Sequence, residues 1–232
     1  METVYLDNAA TSFPKSDGVF AAMKAAFYGC GNGGRGGHAL AVNASEAVFD
    51  CRETLALLFG TNAENVVLCS GATLALNMAI KGIVREKSTV VCSTLEHNAV
   101  LRPLYSLSAM GKIKLEFFTP SFESDEKTVK AFEKAMACGA KTAVFTHASN
   151  VCGICLPAKQ LCEIAASHGA HTVVDCAQTA GHMPIDIKDI GADIICVAGH
   201  KGLGGPMGTG ALIVNPQRRL QLSTIIEGGT GV

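Results

Sequence analysis

From about residue 64 onward, the chain alternates short apolar runs with longer segments of helical periodicity, which limits the folds it can adopt. Several runs are continuous in Val, Ile, Phe and Cys, as is typical of strands covered on both faces. Strand–helix–strand repetition indicates a mainly parallel sheet. We therefore predict an α/β fold with three layers (α/β/α) around a seven-stranded sheet. The predicted strands are 65–69, 89–93, 113–118, 142–147, 171–176, 193–197 and 210–214.

Helical patterns fill most of the connections, at 73–85, 97–110, 125–138 and 157–168. The last two strands follow each other too closely for a helix, so one of them should be antiparallel. Residues 1–63 differ, because two helical patterns at 15–28 and 43–59 flank a glycine-rich loop. We predict an N-terminal arm with helices over 1–63 and a large domain over 64–232 that is incomplete at its C-terminus.

Composition excludes several classes of function. A formal net charge of −1 gives no reason to expect a nucleic acid or a membrane partner. The N-terminus METVYLDNAATS lacks the features of a signal peptide, so a cytoplasmic protein is expected. The ten cysteines are scattered, and those in strand-like runs are expected to be small buried hydrophobic residues. Cys152 and Cys155 form a single C-x-x-C, which leaves redox or metal chemistry open, but no metal site is predicted without a second pair.

Polar residues follow five of the predicted strands. Ligands of open α/β sheets bind beyond the carboxyl ends of the strands, so these residues should converge on one edge. The segments concerned are 70–73, 94–97, 147–150, 175–178 and 199–201.

These residue types suit a phosphorylated pyridine aldehyde. Lys201 supplies an amine for a Schiff base, and Asp175 would keep the ring nitrogen protonated. Ala72 and Thr73 open a helix, where backbone N–H groups favour an anion. His97 could stack on the ring and relay protons.

The remaining residues of the set have supporting roles. Asn150 and Gln178 could donate hydrogen bonds to the ring oxygen, and His200 could add a phosphate contact. Singly, each residue has a plainer interpretation: a solvated lysine at 201, or a turn-forming aspartate at 175. Glu96 is predicted to be a helix-start carboxylate rather than an acid catalyst.

A series of short motifs follows one family's order along essentially the whole chain. They are YLDNAAT at 5–11, GGRGGH at 33–38, SGAT at 70–73 with Asn77, EHN at 96–98, SNVCG at 149–153, DCAQ at 175–178, GHK at 199–201 and GGT at 228–230. With these motifs the chain resembles the class V aminotransferase group of fold-type I pyridoxal-5′-phosphate (PLP) enzymes. Within that group it looks closest to cysteine desulfurases and selenocysteine lyases.

The resemblance implies PLP as the cofactor, with Lys201 as the Schiff-base lysine, Asp175 at the pyridine nitrogen and His97 on the ring. It also implies Asn150 and Gln178 near the ring oxygen, and Ala72, Thr73 and His200 at the phosphate. In a homodimer of this family Thr230 would reach the neighbouring subunit's phosphate. Asn8 and His38 match segments on the substrate side.

Two departures from the family pattern stand out. Ala198 replaces a serine that often adds a phosphate contact, so one hydroxyl is lost. The family's smaller C-terminal domain, with its substrate-binding arginine and sulfur-accepting cysteine, has no counterpart in these 232 residues. We expect a truncated cofactor-binding part of a longer parent, or a natural short form.

The resemblance implies that the parent converts L-cysteine to L-alanine and that a cysteine thiolate of the smaller C-terminal domain takes the sulfur. A sulfur-acceptor protein and a small amino-acid substrate are the partners that it implies. Another class V aminotransferase or lyase reaction on a different small amino acid is the nearest alternative. A different class of function also stays open: a non-catalytic fragment that serves as a binding or dimerisation module.

Overall fold

A computed structural model of the protein describes residues 4–34 and 36–228. Seven strands form one sheet in the order β1-β7-β6-β5-β4-β2-β3. All pairings are parallel except those of β7, which runs antiparallel to both β6 and β1. The predicted mainly parallel sheet with an antiparallel member among the last two strands is confirmed. The strands are β1 (Val66–Cys69), β2 (Ser88–Ser93), β3 (Ile113–Phe118), β4 (Thr142–Thr146), β5 (His171–Asp175), β6 (Ile194–Ala198) and β7 (Gly210–Val214).

Six helices lie within a few residues of their predicted bounds. A seventh, Ile187–Ile190, was not predicted because a single turn carries too little periodicity to be recognised. It is held at its start by Asp186, whose carboxylate accepts hydrogen bonds from the N–H groups of Lys188 and Asp189. The helices are α1 (Asp17–Gly29), α2 (Ala39–Phe59), α3 (Ala72–Ile83), α4 (Asn98–Ala109), α5 (Asp125–Met136), α6 (Ala158–Ser167) and α7 (Ile187–Ile190).

The helices cover both faces of the sheet, which confirms the three-layer α/β/α prediction. On one face, Leu76 of α3 and Leu104 of α4 pack in a cluster with Val173 of β5. On the other face, residues of α5, α6, α7 and the end of α2 form a second cluster that includes the next residue, Val174. Because successive side chains of a strand point to opposite faces, one apolar run supplies both cores.

The direction of the strands decides where the loops converge. Strands β2, β4, β5 and β6 run parallel, and β1 shares their direction because it and β6 are both antiparallel to β7. Their carboxyl ends therefore meet at one edge, as expected for a ligand site in an open α/β sheet.

The division into an arm over 1–63 and a domain over 64–232 stays a prediction. Helix α1 has no buried residue, whereas Ala56 and Phe59 of α2 belong to the main core. Within residues 4–34 and 36–228, no helix is both long and apolar enough to span a bilayer.

Candidate active site

A cavity of about 900 Å³ opens at the carboxyl edge of the sheet. Its walls come from the loops that follow β1, β2, β4, β5 and β6, and from the N-terminal arm. The structure brings together here eight residues that the sequence predicted for cofactor binding, whereas Thr230 lies outside the described residues. The eight are Ala72, Thr73, His97, Asn150, Asp175, Gln178, His200 and Lys201.

A carboxylate and an amine face the same cavity. Asp175 ends β5 and is 5% exposed, with Oδ1 accepting a hydrogen bond from the Ala177 N–H at 2.9 Å. Burial raises the pKa of Asp175, an effect that the Ala177 hydrogen bond and the electrostatic interactions with Lys201 and His97 oppose. Burial lowers the pKa of Lys201, and the Asp175 charge opposes that shift. The Asp175 carboxylate therefore favours a cationic partner. The neutral, nucleophilic form of Lys201 is easier to reach than that of a lysine in water.

The first turn of α3 forms an anion cradle. Gly71 precedes the helix with φ +143°, a conformation that favours glycine, and no side chain caps the helix start. The first N–H groups of a helix have no intrahelical partner, so those of Ala72 and Thr73 are open to a bound anion. Gly210 of β7 allows this turn to sit close, because a methyl at 210 would lie 2.6 Å from the Gly71 carbonyl carbon.

The two histidines of the cavity are held in different ways. His97 precedes α4, and its Nδ1 accepts a hydrogen bond from the Ala99 N–H at 3.0 Å. That bond fixes the ring and leaves the proton on Nε2 in the neutral tautomer. Burial, followed by the charges of Lys201 and Lys15, lowers the pKa of His200. Its Nδ1 is buried without a hydrogen-bond partner among residues 4–34 and 36–228.

The N-terminal arm forms one wall of this cavity, a larger role than the sequence predicted. Asp7, Ala9 and Ala10 line it, and Gln178 Nε2 donates a hydrogen bond to the Ala9 carbonyl at 3.0 Å. The motif at 5–11 was the only sequence signal for these contacts. The other substrate-side candidates, Asn8 and His38, are exposed and do not line the cavity.

Glu96 lies in a different environment from the one that the sequence predicted. It does not cap α4, since that position belongs to His97. The Glu96 carboxyl is buried and accepts hydrogen bonds from the Ser93 hydroxyl and the Thr146 N–H. The prediction of a helix-start carboxylate was therefore wrong, because the chain folds the side chain inward between two strand ends.

The C-x-x-C pair lies on an exposed loop after β4. Both thiols are free, and hydrogen bonds from Ser149 and the Ile154 backbone lower the pKa of Cys152. Of the four cysteines in predicted strands, Cys92, Cys176 and Cys196 are buried, as expected of small hydrophobic residues. Cys69 was also expected to be buried, but it lies on the edge strand β1 and is only half-buried. Over the described ranges, no three His, Cys, Asp or Glu side chains are grouped to hold a metal ion.

The pieces of this cavity fit PLP in type and placement. A phosphate would meet the uncapped first turn of α3, and a pyridinium would meet Asp175, whose second carboxylate oxygen has no hydrogen-bond partner in the described part of the chain. A half-buried amine, Lys201, lines the same space and can bind an aldehyde carbon.

Comparisons with known proteins agree in family and fold. The family described as aminotransferase class-V matches residues 4–232. Cysteine desulfurase IscS of Dictyoglomus turgidum is 30% identical over 233 residues, which cover 98% of this chain and 57% of that protein. The apo structure of a cysteine desulfurase from Thermococcus onnurineus NA1 superposes with a TM-score of 0.84 at 32% identity, covering 92% of this chain and 54% of that one.

A further solved structure, described as SspA in complex with cysteine, has a TM-score of 0.88 at 29% identity. The match covers 98% of this chain and 65% of that one. The chain spans just over half the length of the curated relatives it matches.

Proposed function

The chain belongs to the class-V aminotransferase family, and from this premise we propose that its cavity binds PLP and serves a cysteine desulfurase. The observation that carries the proposal is the placement of Lys201, Asp175 and the uncapped start of α3 around one cavity. A single lysine or a single aspartate would not indicate a function by itself. An amine, a buried carboxylate and an anion cradle on the same cavity supply every group that PLP requires.

Each wall of the cavity has a proposed partner on the cofactor. The N–H groups of Ala72 and Thr73, together with His200, bind the phosphate. His97 would stack on the ring, while Asn150 and Gln178 would donate hydrogen bonds to the ring oxygen. The Thr230 hydroxyl, outside the described residues, is proposed to reach the phosphate of a neighbouring subunit in a homodimer.

Lys201 and Asp175 have different roles in proton transfer. Bound PLP supplies an electron sink for negative charge at the α-carbon of an amino acid. Asp175 holds the proton on the ring nitrogen, since a buried carboxylate is best satisfied by a cationic N–H. Lys201 takes the α-proton, because burial lowers its pKa and increases the fraction of free amine.

L-Cysteine is the proposed substrate. Two kinds of similarity support it: relatives named as cysteine desulfurases, and a structure described in complex with cysteine. In the reaction the carbon–sulfur bond of cysteine breaks, a thiolate takes the sulfur as a persulfide, and the carbon skeleton leaves as alanine. We propose that the acceptor thiolate lies on another segment or a partner protein, since no cysteine among residues 4–34 and 36–228 lines the cavity. Burial also raises the pKa of Cys92, Cys176 and Cys196 and disfavours their thiolates.

Purified protein mixed with PLP should develop a visible absorbance band. Borohydride reduction followed by peptide mapping should place the cofactor on Lys201, and Lys201→Ala should abolish both signals. Lys81 lines the same cavity and gives a matched control, because Lys81→Ala should keep them. Cofactor attached at Lys81, or a band that survives Lys201→Ala, would show that the lysine assignment is wrong.

Product analysis then separates the reaction classes. With L-cysteine and a thiol acceptor, the full-length protein should release alanine and persulfide sulfur in equal amounts. A keto acid would instead identify transamination. Bound cofactor without any product would identify a non-catalytic binding module.

A further inference from the structure

One backbone carbonyl of the cofactor loop is surrounded by hydrogen-bond donors from the N-terminal arm. The carbonyl oxygen of His200 accepts from Lys15 Nζ at 2.7 Å, Thr11 Oγ1 at 2.9 Å and the Ser12 N–H at 3.1 Å. The Ser12 hydroxyl lies 3.2 Å from the same oxygen. These contacts join residues up to 189 positions apart. They fix the peptide group immediately before Lys201.

Lys15 is the centre of this contact. Its ammonium has three N–H donors, and three acceptors surround it: the His200 carbonyl, the Ser12 hydroxyl at 2.7 Å and the Thr11 hydroxyl at 3.4 Å. Lys15 is half-buried, which reduces competition from water. Charge-assisted hydrogen bonds are about twice as strong as neutral ones, so the ammonium is the strongest donor in the group.

The His200 carbonyl takes no part in the internal hydrogen bonds of the loop that carries Lys201. Residues 199–209 form no helix or strand, and they contain five glycines, whose backbones are the most permissive. Internal bonds link the Gly204 N–H to the Lys201 carbonyl at 2.8 Å and the Gly205 N–H to the Gly199 carbonyl at 2.7 Å. The ends of the loop are joined by the Gly199 N–H and the Thr209 carbonyl at 2.9 Å, and the Thr209 hydroxyl donates to the Pro206 carbonyl at 2.6 Å. The His200 carbonyl depends on the arm instead.

The arm is attached to the cavity at a second point. Gln178 donates to the Ala9 carbonyl, and Asp7, Ala9 and Ala10 line the cavity. The Tyr5 hydroxyl donates to the Thr11 carbonyl at 3.0 Å and folds the arm back on itself. The same short segment therefore contacts the Lys201 loop and forms a wall of the cavity.

We propose that Lys15 is a positioning residue that clamps the N-terminal arm onto the His200 carbonyl and so couples the arm to the placement of Lys201. The proposal rests on the proposed function insofar as Lys201 is the cofactor lysine. Lys15 itself does not line the cavity, and it acts through the peptide group of His200 and Lys201. A bound cofactor should stabilise the clamped arm, and a clamped arm should favour cofactor binding, because such linkage is reciprocal.

Hydrogen–deuterium exchange of the cofactor-free protein tests the clamp directly. Lys15→Met keeps an unbranched, flexible side chain one atom shorter but removes its donors, and it should raise amide exchange across residues 4–15. Lys15→Arg should restore protection, since a guanidinium also donates charged hydrogen bonds. Lys24→Met, at an exposed lysine of α1, is the matched control and should leave exchange in the arm unchanged.

Titration with PLP measures the coupling. We expect Lys15→Met to weaken PLP affinity about ten-fold, the effect of losing one charge-assisted hydrogen bond, with Lys15→Arg close to the unmodified protein. The pH midpoint of the visible band should move in Lys15→Met and return in Lys15→Arg. Ser12→Ala, which keeps the lysine and removes one of its partners, should change exchange and affinity in the same direction.

Normal exchange in the arm of Lys15→Met would overturn the clamp. Unchanged PLP affinity and an unchanged pH midpoint in a variant with a released arm would overturn the coupling. Failure of the proposed function is distinguishable, because a protein that binds no PLP still reports the clamp through exchange in its cofactor-free form.

Discussion

The Oε1 oxygen of Glu96, in the loop after β2, accepts a hydrogen bond from the backbone N–H of Thr146 at the end of β4, at 2.8 Å. The Ser93 hydroxyl donates to the same oxygen, and Oε2 is buried without a partner in the described part of the chain. Burial raises the pKa of Glu96 to about 8, and the charge of Asp175 adds to the shift, against the two hydrogen bonds. At neutral pH a protonated carboxyl therefore joins two strand ends behind the cavity.

This carboxyl predicts a pH-dependent stability. Between pH 4.5, the ordinary pKa of a glutamic acid, and about 8, the folded protein holds a proton that the unfolded chain has released. The free energy of unfolding should fall by about 1.4 kcal/mol per pH unit across that window through this group alone. Glu96→Gln should remove this contribution, as seen in urea denaturation at several pH values. Glu86→Gln, at an exposed position, is the control, and an equal slope in all three proteins would contradict the prediction.

Substitutions of two buried aspartates, Asp175 and Asp193, at opposite edges of the sheet should have different effects on cofactor binding and on stability. Asp175→Asn keeps an acceptor for the Ala177 N–H but removes the charge, so PLP affinity should fall about ten-fold with little loss of stability. Asp193 accepts from the N–H and the hydroxyl of Thr172, at 2.9 and 3.0 Å, far from the cavity edge. Asp193→Asn should cost about 1–3 kcal/mol in thermal or urea unfolding and leave PLP affinity unchanged. The reverse pattern would refute the assignment of Asp175 to the cofactor.

Gly210→Ala should disturb the anion cradle from the neighbouring strand. The added methyl would lie 2.6 Å from the Gly71 carbonyl carbon and 2.7 Å from the Val197 carbonyl oxygen, so backbone must move. We expect a loss of about 1–3 kcal/mol in stability and weaker binding of PLP, measured by calorimetry. Gly37→Ala is the control, because a methyl there meets nothing within 4 Å. Unchanged PLP binding in Gly210→Ala would indicate that the Gly71 turn does not hold the phosphate.

The core on the α5 face should depend on one aromatic ring. Phe132 is fully buried, with its ring centroid 5.0 Å from that of Phe118 and 6.0 Å from that of Phe145. Phe132→Ala should reduce the free energy of unfolding by about 3–5 kcal/mol, since it leaves a cavity in a packed core. Phe122, 70% exposed, gives a matched control whose change to alanine should have little effect on urea unfolding. Similar losses for both would contradict the packing described.

Much of the fold could be predicted from local patterns. Continuous apolar runs such as 142–147 and 171–176 indicated strands covered on both faces, and Val173 and Val174 do enter separate cores. The convergence of His97, Asp175 and Lys201 followed from the direction of parallel strands alone. The single-turn helix α7 was missed because four residues give no measurable period.

The environment of individual side chains could not be predicted in this way. Glu96 and His97 are adjacent in sequence, yet one side chain is buried between strands and the other lines the cavity. Asn8 belongs to a matching motif, but its neighbours Asp7 and Ala9 line the cavity instead. Which of two adjacent side chains points into the cavity depends on packing rather than on composition.

By itself, the sequence determined the order of strands and helices, the parallel sheet and the set of polar residues at its carboxyl edge. These follow from periodicity and strand direction, which are properties of neighbouring residues. Only the tertiary structure decided that Lys15 and Ser12 hold the His200 carbonyl and that burial raises the pKa of Glu96. Both depend on contacts or burial created by segments distant in sequence, and no local pattern records the dielectric or the partner that a side chain meets after folding.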